Sequence, residues 1–141
     1  MDIQKQIQEL SDRLKRLEHG QYMPAAPANY TPTEVGWAAG VTFDCNYVKV
    51  GKLVHLWYQI NGTSDVAGNH TITLPGGGTI AHDTALVETF HYALEGAVAM
   101  TGVTLCNDGA TVLDFNKDTA ATNYAGTGVL NIAGYVCYWE L

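Results

Sequence analysis

Five histidines, three cysteines and fourteen carboxylates are the side chains with which this chain could cut, transfer or ligate. Catalysis needs them in a constellation, and their spacing supplies none. His19, His55, His70, His82 and His91 fall in separate segments rather than at i, i+2 or i, i+4 on one element, so no metal spacing emerges. A threefold axis could gather three copies of His55 into a trigonal site, but an interface histidine bonded to backbone or water is the commoner use. His82-Asp83 sets a base beside an orienter, yet neighbours in an extended segment point apart. Asp108, Asp114 and Asp118 with Asn107, Asn116 and Asn123 offer oxygen ligands at a spacing that fits no calcium loop, and read as solvated turns. Zincin, nucleophile-elbow and phosphate-loop motifs are missing; Gly76-Gly77-Gly78 lacks a following lysine and reads as a plain loop. Cys45, Cys106 and Cys137 are odd in number and far apart, which points to free, mostly buried thiols made in a reducing compartment. No catalytic residue, metal site or cofactor is expected.

Aromatic rings are the second chemical resource. Eight tyrosines, three tryptophans and three phenylalanines make up 10% of the chain. Rings beside Asp and Asn can serve as stacking platforms for sugars, and Tyr124, in the Gly- and Thr-rich stretch 119–128, is the candidate ligand contact of that kind. Cores and interfaces use the same rings.

Charge narrows the partners. The 141 residues amount to about one domain. Apolar residues are 47% and charged ones 15%, too hydrophobic for a disordered chain, and no apolar run approaches the ~20 residues of a membrane helix. The first twenty residues mix charge and apolar groups and do not read as a secretory signal. They are also balanced, so the net charge of −7 falls on residues 21–141, where Lys49, Lys52 and Lys117 are the only Lys or Arg cations. Without a basic stripe, nucleic-acid binding and membrane insertion are not expected.

The elements that must position these residues fall into three parts. Residues 1–20 read as a coiled-coil stalk: Ile3, Ile7, Leu10, Leu14 and Leu17 follow at spacings of 4, 3, 4 and 3, an a/d seam. Arg13 at g and Glu18 at e can pair between neighbouring parallel helices, and the stretch from Arg13 to Glu18 resembles the R-h-x-x-h-E trimerisation motif. Gly20 and Pro24 should stop the helix near His19. Residues 21–34, with Pro24, Pro27 and Pro32, read as a semi-rigid connector that Tyr22, Met23 and Tyr30 could anchor. Residues 35–141 turn to period two, predicting a head of roughly eight strands in a jelly-roll-like antiparallel β-sandwich.

Within that head, strands are expected around Val41 and Phe43, around Val48, and along Val54, Leu56, Tyr58 and Ile60, with turns at Asn61-Gly62 and Ala67-Gly68-Asn69. Another ends at Leu74. Phe90, Tyr92 and Leu94 share a face, as do Val103 with Leu105 and Leu113 with Phe115; Leu130, Ile132, Val136 and Tyr138 mark the last strand. Two strands are apolar on both faces, since Leu53, His55 and Trp57 lie opposite one core set and Tyr135, Cys137 and Trp139 opposite the other. One face can fill the core while the other meets a neighbouring copy. Leu53, His55, Trp57, Tyr135 and Trp139 are therefore assigned to a trimer interface of the head.

The stalk, connector and β head together resemble the small trimeric surface proteins of tailed bacteriophages: head fibres, capsid decoration proteins and receptor-binding tips. The local likeness runs from Trp37 through Tyr47, Val50-Gly51 and the strand Leu53–Ile60 to Leu74-Pro75. The resemblance implies a non-enzymatic homotrimer on the virion surface, made in the bacterial host cytoplasm, whose partner is the major capsid protein or another virion component. Because the chain begins almost at the first heptad residue, capsid decoration is the expectation; the alternative is a tail tip that binds host surface carbohydrate.

Overall fold

Helix α1 spans Ile3–Glu18 in the computed structural model, which describes residues 3–18, 26–65, 68–81 and 87–141. Its seam residues Ile3, Ile7 and Leu10 are 71, 60 and 64% exposed, so the single chain leaves the apolar stripe uncovered. Gln8 donates to Asp12 one turn on, at 3.1 Å. The expected helix stop at His19 and Gly20, Pro24, the anchors Tyr22 and Met23, and the His82-Asp83 pair lie outside the described residues. So do the side chains of Arg13, Leu14, Leu17 and Glu18.

Among the described residues the other regular elements are a 3-10 turn at Pro75–Gly77 and the strands β1 (Ala28–Asn29), β2 (Glu34–Val35), β3 (Thr42–Val50), β4 (Leu53–Ser64), β5 (His70–Thr73), β6 (Val87–Glu95), β7 (Val98–Cys106), β8 (Val112–Asn116) and β9 (Gly128–Trp139). All pairings are antiparallel, in the order β1-β3-β4-β9-β6-β7-β8-β5-β2. The described residues are thus mainly β, with the short helix α1 and an antiparallel sheet curled on itself. β4 and β9 form its spine, paired from Leu53↔Trp139 to Ser64↔Gly128. Glycine opens the two tightest hairpins: Gly51 (φ 61°) between β3 and β4, and Gly96 (φ 62°) between β6 and β7. A two-residue turn that starts with a left-handed residue follows the twist of its strands.

Curling brings the sheet's halves face to face. The Tyr58 hydroxyl on β4 meets Thr104 Oγ1 on β7 at 2.6 Å, and the Tyr58 ring lies 5.2 Å from that of Phe115 on β8. Closure comes where Trp37, just after β2, bridges Ser64 at the end of β4; Ala38 N–H donates to the Thr63 carbonyl at 2.8 Å. The core holds Val54, Leu56, Tyr58 and Ile60 from β4, Leu130, Ile132, Val136 and Tyr138 from β9, and Ile72, Leu113 and Phe115 across from them. Each fully buried aliphatic contributes about 1.5–3 kcal/mol.

Several expectations change. Phe43 and Val48 belong to one strand, β3. Asn61-Gly62 is not a turn but the interior of β4, where a Cβ on Gly62 would lie 3.0 Å from the Trp37 ring, so this glycine serves close approach. Residues 28–35 contribute β1 and β2 to the sheet. Tyr30 packs against the core, edge-on to Tyr47 at 5.9 Å.

Candidate functional site

Row by row across the sheet, one line of residues stands apart: Tyr58 on β4, Gly134 on β9, His91 on β6 and Gly102 on β7 are successive cross-strand partners facing the core. Glycine makes the room. A Cβ at Gly102 would fall on the Tyr124 hydroxyl and His91 Nε2, and one at Gly134 would lie 2.8 Å from the Tyr58 ring. His91 Nδ1 meets Thr104 Oγ1 at 2.9 Å and Nε2 meets the Tyr124 hydroxyl at 2.7 Å; Tyr124 donates to the Asn116 carbonyl at 3.2 Å. One proton arrangement satisfies every group. Tyr58 donates to Thr104, Thr104 to Nδ1, and the Nε2–H of a neutral His91 to Tyr124, which donates to Asn116. Burial favours that neutral ring and lowers its pKa to about 4.

A second histidine fastens the closure. His70 Nε2 lies 2.9 Å from Ser64 Oγ and its Nδ1 3.1 Å from the Gly68 carbonyl, while Ser64 Oγ–H reaches the Ala125 carbonyl at 2.8 Å. The Trp37 ring stands edge-on to His70 at 4.9 Å, and Gly36 (φ 100°) passes so close that a Cβ would strike the imidazole. Ser64 with His70 has the pairing of a nucleophile and its base. Both are buried, however, and the pair pins Gly36–Trp37 to the end of β4 rather than facing a substrate. Desolvation holds the His70 pKa below its usual value.

The accessible chemistry lies on the outer face of the same strands. Trp57 pairs with Tyr135 across β4 and β9, rings 5.3 Å apart; His55 stacks beside both, 6.3 Å from Trp57 and 6.0 Å from Tyr135. His55 Nδ1 and the Tyr135 hydroxyl share a 2.5 Å hydrogen bond. Desolvation first, then the neighbouring Cys137 thiol, raises the Tyr135 pKa. Trp139 lies opposite Leu53 at the end of the ladder, exposed like Trp57 and Tyr135. All five residues assigned to a head interface therefore share one face, with Leu53 and His55 half-buried on it.

Phe90 and Tyr92 on β6 also belong to this face. Tyr92 pairs with Ala133, and the ladder carried one residue past His91↔Gly134 sets Phe90 beside Tyr135. Sequence reasoning grouped Phe90, Tyr92 and Leu94 but did not join them to this surface, because alternation does not say which face is inward. The signal was Gly102 and Gly134, isolated glycines within strand patterns. Tyr124 is a correction: at 1% exposure, bonded to His91 and edge-on to His70, it offers no ring face to a sugar.

One surface hollow, of about 390 Å³, lies between Tyr47, Lys49, Val54, the Pro75–Thr79 loop and Glu140, where Lys49 pairs with Glu140. Among the described residues no three of His, Cys, Asp and Glu gather to hold a metal. Of the thiols, Cys45 and Cys106 are buried, which raises them to about 11 and about 12 and keeps them unreactive; Cys137 is half-buried on the aromatic face. No family model, curated protein or solved structure matches the chain.

Proposed function

We propose that the protein is a non-enzymatic virion surface protein of a tailed bacteriophage: a homotrimer with a coiled-coil stalk and a jelly-roll-like head that decorates the capsid. The observation that carries the reading is the pairing of two uncovered apolar surfaces, the α1 seam and the outer aromatic face of β4, β9 and β6, with a head whose core is already complete. A seam of that period calls for other helices of the same kind. The His91–Tyr124 and His70–Ser64 pairs are sealed inside, and the exposed His55–Tyr135 pair belongs to the aromatic platform, so the reading takes the outward face as a binding surface. Burial of Tyr124 removes the residue that had suggested carbohydrate, which favours a protein partner in the capsid over a host polymer.

Labelled full-length protein is mixed with undecorated capsids of the source phage and, separately, with host cells, and the sedimenting fraction is measured. Saturable binding to capsids is expected. Binding to cells alone, competed by surface polysaccharide, would replace capsid decoration with a receptor-binding tip.

A further inference from the structure

We propose that the heads of neighbouring copies meet head to tail through this aromatic face, Phe90 and Tyr92 of one copy packing on the Trp57–Tyr135–His55 platform of the next. The number of copies rests on the trimer reading above; the surface and its pairing are additional to it.

Three observations select a second copy as the occupant. The first is charge. The outward positions of β4 from Leu53 to Asn61, of β9 from Val129 to Trp139 and of β6 from Phe90 to Leu94 carry no Asp, Glu, Lys or Arg, in a chain with 21 such residues. A basic partner would be drawn by carboxylates and an acidic one by lysines; this span has neither, and Asp44 of β3, beside Gln59, stands at its rim. The same face on another copy leaves no charge buried without a partner.

The second is area. Trp57, Tyr135, Trp139, Phe90 and Tyr92 are 45, 39, 53, 73 and 52% exposed. At ~200 Å² per ring this is roughly 500 Å² of aromatic surface, near the upper end for a monomer's largest patch. Divided between two neighbours in a head-to-tail pairing, it gives each contact roughly 250 Å² of ring surface per partner, a part of the ~800 Å² per partner of a stable interface that the rim and the stalk complete.

Shape is the third. Trp57, His55 and Tyr135 lean on one another as a platform, whereas Phe90 is the most exposed ring on the face. A flat patch and a projecting one on the same copy fit each other across a rotation that brings unlike patches together, and the threefold axis of the trimer reading makes that pairing a closed ring.

The test uses the full chain with Cys137→Ser as background, adding Trp57→Cys, Phe90→Cys or both. β9 lies between the two positions, so within one chain their Cα atoms are about 9–10 Å apart, beyond the ~7 Å a disulfide spans. Mild oxidation of the double variant should give a reducible covalent trimer, and neither single variant should cross-link. Dimers from Trp57→Cys alone would overturn the head-to-tail pairing. Sedimentation equilibrium on Trp57→Gln and Phe90→Gln should show association weakened about tenfold or more, as for central aromatic anchors. If both assemble like the parent while Leu10→Asp dissociates, the stalk alone holds the trimer: the face proposal fails and the trimer reading stands. A parent chain that is monomeric at every concentration overturns both.

Discussion

His91 is held by neighbours that cannot be enlarged. Gly102 and Gly134 flank it on the adjoining strands, and its ring completes a chain of hydrogen bonds only when neutral. Its folded pKa of about 4 lies below the value of 6.5 for a free ring. Between those values the unfolded chain binds a proton that the native chain does not, so stability falls as pH drops from 6.5 toward 4 and is fully present above 6.5. At ~1.36 kcal/mol per unit the loss reaches about 3 kcal/mol. Urea unfolding at pH 7 and pH 4.5 should show this decline, and His91→Gln should flatten it; an unchanged slope would place the proton elsewhere. His70, also depressed, contributes in the same direction and stays in place in that variant. Gly102→Ala acts on the same network by volume, driving a methyl into the Tyr124 and His91 bond. It should cost about 3 kcal/mol, seen as a lower urea midpoint at constant slope.

At the scale of elements, what could be read in the sequence depended on whether one period governed a segment. Helix α1 was legible from the 4, 3, 4, 3 spacing of its apolar residues, and the inward sets of β4 and β9 from simple alternation. β3 was split in two because Lys49 falls in the inward phase of Thr42–Val50; at the end of the sheet it pairs with Glu140 rather than entering the core. β6 could not be oriented, since its inward histidine is tolerated only by glycines on other strands, a long-range fact that local pattern does not carry. The interface candidates on β4 and β9 were legible as a second apolar face, and Phe90 and Tyr92 were missed for the reason that left β6 unoriented. For α1 the consequence is testable. At ~1.5 Å per residue its 16 residues span about 24 Å, marginal for an isolated helix in water. Leu10→Asp puts a charge in the seam at a residue that touches little in its own chain, so the helical circular dichroism signal should fall while the head's unfolding transition stays within about 0.5 kcal/mol. Full helicity in this variant would mean that α1 does not depend on other copies.

On the scale of the whole molecule, the acidic surface and the uncharged face work against each other. Each copy carries −7, so three together carry −21, while the proposed contact offers no opposite charges to offset the repulsion. In the proposed head contact, association comes from aromatic burial, which salt leaves nearly unchanged, against a long-range repulsion that salt removes. Raising ionic strength from about 0.01 M to 0.15 M shortens the screening length from ~30 Å to ~8 Å, below the dimensions of a head. The proposed trimer should therefore tighten several-fold over that range, read as a shift of the sedimentation isotherm to lower protein concentration. An interface built on ion pairs between copies would respond with the opposite sign, because the same screening would weaken the contacts themselves. Glu95 and Glu140 are already paired within their own chain, to Lys117 and Lys49, which spends two of the three lysines beyond residue 20 before any neighbour arrives. Trimers that loosen in salt would thus require Lys52 or the charged flank of α1 to carry the contact, and would move the interface away from β4, β9 and β6.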